Sequence, residues 1–123
     1  MNCIFCELPN DRFIDETELS LVFRDAFPVT SLHTLVIPRR HVSDYFDLTE
    51  AELDDIQRLL LKHKTLIENH DSSVTGFNVG NNIGRSAGQT VFHAHSHLIP
   101  RRDGDVESPR GGVRGVIPTK QAY

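Results

Sequence analysis

Three histidines alternate with single residues in Phe92-His93-Ala94-His95-Ser96-His97-Leu98. Successive side chains of an extended strand point to opposite faces, so His93, His95 and His97 share one face and Phe92, Ala94, Ser96 and Leu98 the other. Like-facing neighbours stand about 6.5–7 Å apart at Cα, close enough for three imidazoles to surround one small anion. Imidazole has its ordinary pKa near neutrality, so one ring can act as a neutral nucleophile while another donates a hydrogen bond. That pairing suits substitution at phosphorus. A metal site using two of the rings is the competing chemistry.

The stretch before the histidines, Gly80-Asn81-Asn82-Ile83-Gly84-Arg85-Ser86-Ala87-Gly88-Gln89-Thr90, is rich in glycine and asparagine. Glycines let backbone N–H groups approach an anion, although the same composition also makes ordinary turns. Joined to the alternating histidines, the loop reads as a phosphate cradle. Cys3-Ile4-Phe5-Cys6 has the spacing of half a tetrahedral zinc site and needs two more ligands from elsewhere; free thiols or a redox pair are the other readings.

These groups need a scaffold. Residues 18–25 and 33–37 read as two strands of an antiparallel hairpin, the second stopped by Pro38. From Thr49 the period changes: Leu53, Ile56, Leu59, Leu60, Leu66 and Ile67 fall at helical spacing, with Glu52, Asp55, Arg58, Lys62 and Glu68 largely opposite. Thr49 with Glu52 fits a capping box, and 69–72 a polar stop. Residues 74–79 and 91–99 read as two further strands. Past Pro100 the chain is a loop-rich tail whose Arg101, Arg102, Arg110 and Arg114 could reach distal phosphates or lie on the surface. The expectation is a single domain over 1–123, with a core of 1–100 and a tail of 101–123.

At 123 residues with 38% apolar and 24% charged residues, the composition is that of a soluble globular domain without a membrane span. The N-terminus lacks a secretory pattern, which points to the cytoplasm. The net charge of -4 divides unevenly: residues 1–71 carry 7 basic and 14 acidic side chains, residues 72–123 carry 6 and 3. So acidic a chain is not expected to bind nucleic acid in bulk, yet its C-terminal half suits a local phosphate pocket.

The segment 89–99 resembles the signature of the histidine triad (HIT) family. The likeness extends to Ile4-Phe5, Asp25, His33 within Leu32-His33-Thr34-Leu35-Val36-Ile37-Pro38, Arg39-Arg40-His41, and Asn82, Gly84, Ala87 and Gly88. It implies an α+β fold with a five-stranded antiparallel sheet, one long amphipathic helix, a loop-rich C-terminal tail, and a homodimer with a continuous sheet.

The resemblance also implies roles. His95 would attack the α-phosphorus to give a nucleotidyl-histidine; His97 would contact phosphate or the departing oxygen; His33 and His93 would support them. Gln89 and Thr90 would hold the nucleotidyl phosphate, Asn82 would lie near the phosphate chain, Asp25 would bind ribose, and Ile4, Phe5 and Phe23 would line the base pocket. Phe5 and Phe23 equally suit a core, and Asp25 a turn cap. Related proteins complete a zinc site with histidines matching His41 and His93, which with Cys3 and Cys6 makes a structural site; no organic cofactor is expected.

Within this resemblance, Thr90 and the absence of tryptophan lean towards hydrolysis of dinucleoside polyphosphates such as diadenosine tetraphosphate, with a purine nucleotide as partner. Hydrolysis of nucleoside phosphoramidates or aminoacyl adenylates, nucleotidyl transfer or phosphorolysis, and a non-catalytic nucleotide-binding regulator are the alternatives. Two residues depart from the family pattern: Leu32 stands where glycine commonly precedes the histidine, and Ser96 replaces an apolar residue, placing a hydroxyl where it needs a partner.

Overall fold

A computed structural model of the chain describes residues 2–123. Five strands, β1 (Phe13–Glu16), β2 (Ser20–Arg24), β3 (Thr34–Pro38), β4 (Val74–Gly80) and β5 (Ser96–Arg102), form one antiparallel sheet in the order β1-β2-β3-β5-β4. One helix, α1 (Glu50–His70), crosses it. Among the described residues no helix is long and apolar enough to cross a membrane.

Helix α1 starts where the sequence says it should. Thr49 accepts from the Glu52 N–H while the Glu52 carboxylate accepts from the Thr49 N–H, a reciprocal cap that satisfies two otherwise unpaired donors. Its inner face, Ile56, Leu59, Leu60 and Ile67, packs on Val22, Val36, Ala94 and Leu98. Two expected positions change sides. Leu66 is half exposed, whereas Glu52 is buried beneath Arg40, its 2.7 Å ion pair. Buried His63 also faces inward, bonded to Asp15 of β1 at 2.9 Å.

On the opposite face the N-terminal segment lays Cys3 and Phe5 over Phe23, Leu35 and Ile37, forming a second apolar cluster. The sheet therefore has one face for the helix and one for the N-terminus and histidines.

Strand β1 escaped the sequence pattern: it is a four-residue edge strand with an irregular register between Phe13 and Asp15. The last strand is also displaced, running 96–102 rather than 91–99. Pairing with β3 reaches only from Thr34↔Leu98 to Val36↔Ser96. Before Ser96 the chain is held differently, with the Ala94 N–H donating to the Val42 carbonyl at 2.8 Å. Pro100 does not end the strand, because pairing on the β3 side has already stopped at Leu98 and the missing N–H breaks no bond there.

Both departures from the family pattern find a structural answer. The Ser96 hydroxyl accepts from Asn81 Nδ2 at 2.9 Å. Leu32 adopts φ 72°, the left-handed region that a glycine would enter freely.

Candidate active site

The alternating histidines do share a face, although only His97 lies on a paired strand. Ala94, Ser96 and Leu98 are buried towards the helix, while ring centroids of His95 and His97 stand 5.2 Å apart on the other side. Phe5 meets the His95 ring edge-on at 5.1 Å.

Backbone partners determine which nitrogen of each ring carries its proton. His95 Nδ1 lies 2.8 Å from the His93 carbonyl, which only accepts; Nδ1 is therefore protonated and Nε2 of the neutral ring keeps its lone pair. His33 is arranged the other way. Its Nδ1 accepts from the Val29 N–H at 3.0 Å, so the proton sits on Nε2, which donates to His97 Nδ1 at 2.9 Å. His97 in turn carries its proton on Nε2, a buried atom without a protein partner among the described residues. The chain of donors from Val29 through His33 leaves one N–H directed at whatever enters.

Burial favours the neutral form of His33 and His97. Desolvation, reinforced by the neighbouring His95 and His33, lowers His97 to about 4. His33 is lowered by burial, against the opposing pull of Asp25, whose Oδ2 is 3.5 Å from its Nε2. The other carboxylate oxygen of Asp25 accepts from the Phe27 N–H at 2.8 Å, the turn cap that was the alternative reading of this residue.

The glycine loop is rigidly closed. Gly84 and Gly88 both have φ 89°, a conformation that asks for glycine. Gln89 fastens it from inside: Oε1 accepts from the Gly84 N–H, and Nε2 donates to the carbonyls of Ser43 and Val91. The Gln89 amide is thus engaged with main chain and braces the loop that leads to Thr90. Thr90 is exposed on a hollow shared with Cys3, Ile4, His41 and Phe92, whereas Asn82 borders the cavity of His33 and His97. Phe23 is 2% exposed and Phe5 9%, so both belong to the core; Ile4, 61% exposed, offers the open apolar surface.

The tail arginines are differently placed from expectation. Arg101 pairs with Asp105 and Arg102 with Asp71. Arg110 and Arg114 stack on Tyr123, with guanidinium carbons 4.6 and 5.1 Å from the ring centroid.

A second cluster brings Cys3, Cys6, His41 and His93 together, all four ligand atoms lying within 4.8 Å of one another. Tetrahedral zinc at ordinary bond lengths sets N···N near about 3.3 Å and S···N near about 3.6 Å. The separations are 3.2 Å for the two imidazole nitrogens and 3.3, 3.4 and 3.6 Å for the sulfur–nitrogen pairs. His93 Nε2 donates to the Pro38 carbonyl at 2.8 Å, which presents the Nδ1 lone pair to this centre. The donor set fits zinc. Asp25, His33 and His97 are equally close together but suit a cation poorly, because the Val29 N–H already holds the His33 proton on the nitrogen that would have to bind.

Comparison with known proteins agrees with this geometry. Residues 7–104 match the HIT domain. The chain belongs to the HIT family. It is 37% identical to the adenosine 5'-monophosphoramidase HNT1 of Candida albicans over 110 residues, covering 83% of this chain and 72% of that protein. A HIT family protein from Bacillus anthracis is similar in structure, with a TM-score of 0.78, 42% identity, and coverage of 85% of this chain and 76% of that one. A zinc-bound histidine triad protein from Mycobacterium smegmatis matches with a TM-score of 0.77 and 34% identity, over 86% and 79% of the two chains. The site's main-chain partners, the Val29 N–H and the Pro38 and His93 carbonyls, had no side-chain signature by which to find them in the sequence.

Proposed function

We propose that this HIT protein hydrolyses nucleotides substituted at the α-phosphorus, through a nucleotidyl group carried on Nε2 of His95. The observation that carries this reading is the 2.8 Å bond from His95 Nδ1 to the His93 carbonyl, which makes Nε2 the nitrogen that holds the lone pair in the neutral ring. His97 supplies the N–H that steadies the departing atom, and His33 keeps that proton in place. Asn82 lies beside them, and Asp25 keeps Oδ2 for a ribose hydroxyl while Oδ1 caps its turn. Thr90 and Ile4 would approach the nucleotide from the loop and the N-terminus.

Zinc held by Cys3, Cys6, His41 and His93 would act structurally, tying the N-terminus to the segment that carries the nucleophile. A homodimer is supported by the outer edge of β4, a seven-residue strand with no partner on that side among the described residues.

The name of the Candida albicans relative favours a phosphoramidate over a dinucleoside polyphosphate as the substituted nucleotide. The paired Arg101 and Arg102 remove one argument for the polyphosphate. Turnover of adenosine phosphoramidate and diadenosine tetraphosphate, each compared with His95→Ala, tests the reading. Rapid acid quench should reveal a nucleotidyl adduct on His95. If neither compound reacts faster than with His95→Ala while nucleotide still binds, the protein is a regulator and not a hydrolase.

A further inference from the structure

Every carbonyl of the turn from Thr30 to His33 is engaged. Thr30 O accepts from the His33 N–H at 3.2 Å, which closes the turn with Leu32 at its left-handed third position. Ser31 O accepts from Arg102 Nη2 at 3.1 Å, Leu32 O from the Thr34 hydroxyl at 2.8 Å, and His33 O from the Asp25 N–H at 2.9 Å. The Thr30 hydroxyl adds a further bond by donating to the carbonyl of Pro100. That carbonyl is free to accept because β3 stops pairing with β5 at Leu98.

Two of these bonds come from distant parts of the chain, and both come from β5 beyond the reach of β3. Arg102 is itself held, since Nε and Nη2 donate to one oxygen of Asp71, the C-terminal cap of α1, at 3.3 and 2.9 Å. Thr30 is half-buried and Ser31 exposed, and neither belongs to the two apolar clusters. What the clamp holds is one peptide group, the Val29 N–H against His33 Nδ1.

Two rings depend on that N–H. A proton on His33 Nδ1 would face a donor, so it resides on Nε2 and there meets the lone pair of His97 Nδ1. With the Val29 N–H turned away, His33 Nδ1 would meet water, which donates and accepts equally well. The reverse arrangement then becomes accessible: a proton on Nδ1 of each ring and a lone pair on each Nε2. In that state His97 has no hydrogen bond to offer a departing atom.

We propose that Thr30 and Arg102 are positioning residues: by clamping this turn from β5 they set the proton arrangement of His33 and His97, and with it the donor that serves the leaving group. The proposal rests on His95 as the nucleophile and His97 as the donor. Arg102 serves the site through a main-chain carbonyl and not through a phosphate.

Imidazole 15N resonances of the full chain read the arrangement, because protonated and lone-pair nitrogens resonate far apart. The parent should show a protonated Nε2 and a bare Nδ1 in both rings. Thr30→Val keeps the side-chain shape and removes the donor, so both rings should move towards averaged values; Thr30→Ser should restore them. Arg102→Gln should move the same resonances. Thr17→Val, which severs a hydroxyl bond to Asp55 in the turn between β1 and β2, should lower the melting temperature and leave them in place.

Turnover supplies the second readout. An amine leaving from adenosine phosphoramidate needs the donor, whereas the nitrophenolate of p-nitrophenyl-AMP departs unaided. Thr30→Val should lower kcat for the phosphoramidate by about tenfold with little change in KM, and barely slow the nitrophenyl ester. Unmoved resonances in Thr30→Val, or an equal slowing of both substrates, overturn the proposal. If neither substrate reacts faster than with His95→Ala, the hydrolase reading falls, and the resonances still decide whether the clamp sets the two rings.

Discussion

Replacing Leu32 by glycine should be less harmful than replacing it by alanine, the reverse of the usual order. Leu32 holds φ 72°, and a side chain bearing a Cβ pays about 1–2 kcal/mol for that conformation. Its side chain is half-buried against the helix-side core, so trimming to alanine forfeits about 1 kcal/mol of burial and keeps the strain. Glycine loses the same contacts and releases the strain, but adds about 0.5–1 kcal/mol of backbone freedom to the unfolded chain. The balance leaves Leu32→Gly about 0.5–1 kcal/mol more stable than Leu32→Ala, or about 2–4 °C in melting temperature for a chain of this size. Thermal and urea melts of the parent and both variants measure this directly. An alanine variant that matches or exceeds the glycine variant would show that the turn before His33 stores no strain.

Stability should also fall with acid in a histidine-dependent way. His97 is lowered to about 4, so as pH drops below its ordinary value of 6.5 the unfolded chain takes up a proton that the folded chain refuses. Its contribution is complete above pH 6.5 and lost between 6.5 and 4, an effect of up to about 3 kcal/mol that partial solvent contact reduces. Urea titrations at several pH values should give His97→Gln a shallower dependence than the parent; identical slopes would refute the assignment. Protein purified without added zinc should carry close to one equivalent. His93→Ala should lose it and melt earlier, while His95→Ala keeps both metal and melting temperature and loses only turnover. Zinc retained by His93→Ala would remove that residue from the site.

Where a feature announces itself through side-chain type and period, it was legible in the sequence. The capping box at Thr49 and Glu52, the hairpin of β2 and β3 and the alternation of His93, His95 and His97 all belong to that kind. The cysteine pair was legible as half a site, and its two completing histidines came through family likeness. Strand β1 was not legible, because four residues at a sheet edge carry too little alternation. The limits of β5 were misplaced because whether Pro100 stops a strand depends on how far its neighbour reaches, which is a property of the folded sheet. The clasp that Gln89 forms was not legible, because one amide both donates and accepts and only the structure reveals which main-chain groups engage it. The arginines of the tail illustrate the converse, since their charge was evident and their partners were not.

His93 faces two ways. Its ring belongs with Cys3, Cys6 and His41, and its carbonyl is the acceptor that sets the proton of His95. The contacts that hold the N-terminus over the sheet and the acceptor that orients the nucleophile thus meet in a single residue. Loosening the N-terminal clasp should therefore cost turnover as well as stability, since one residue anchors both.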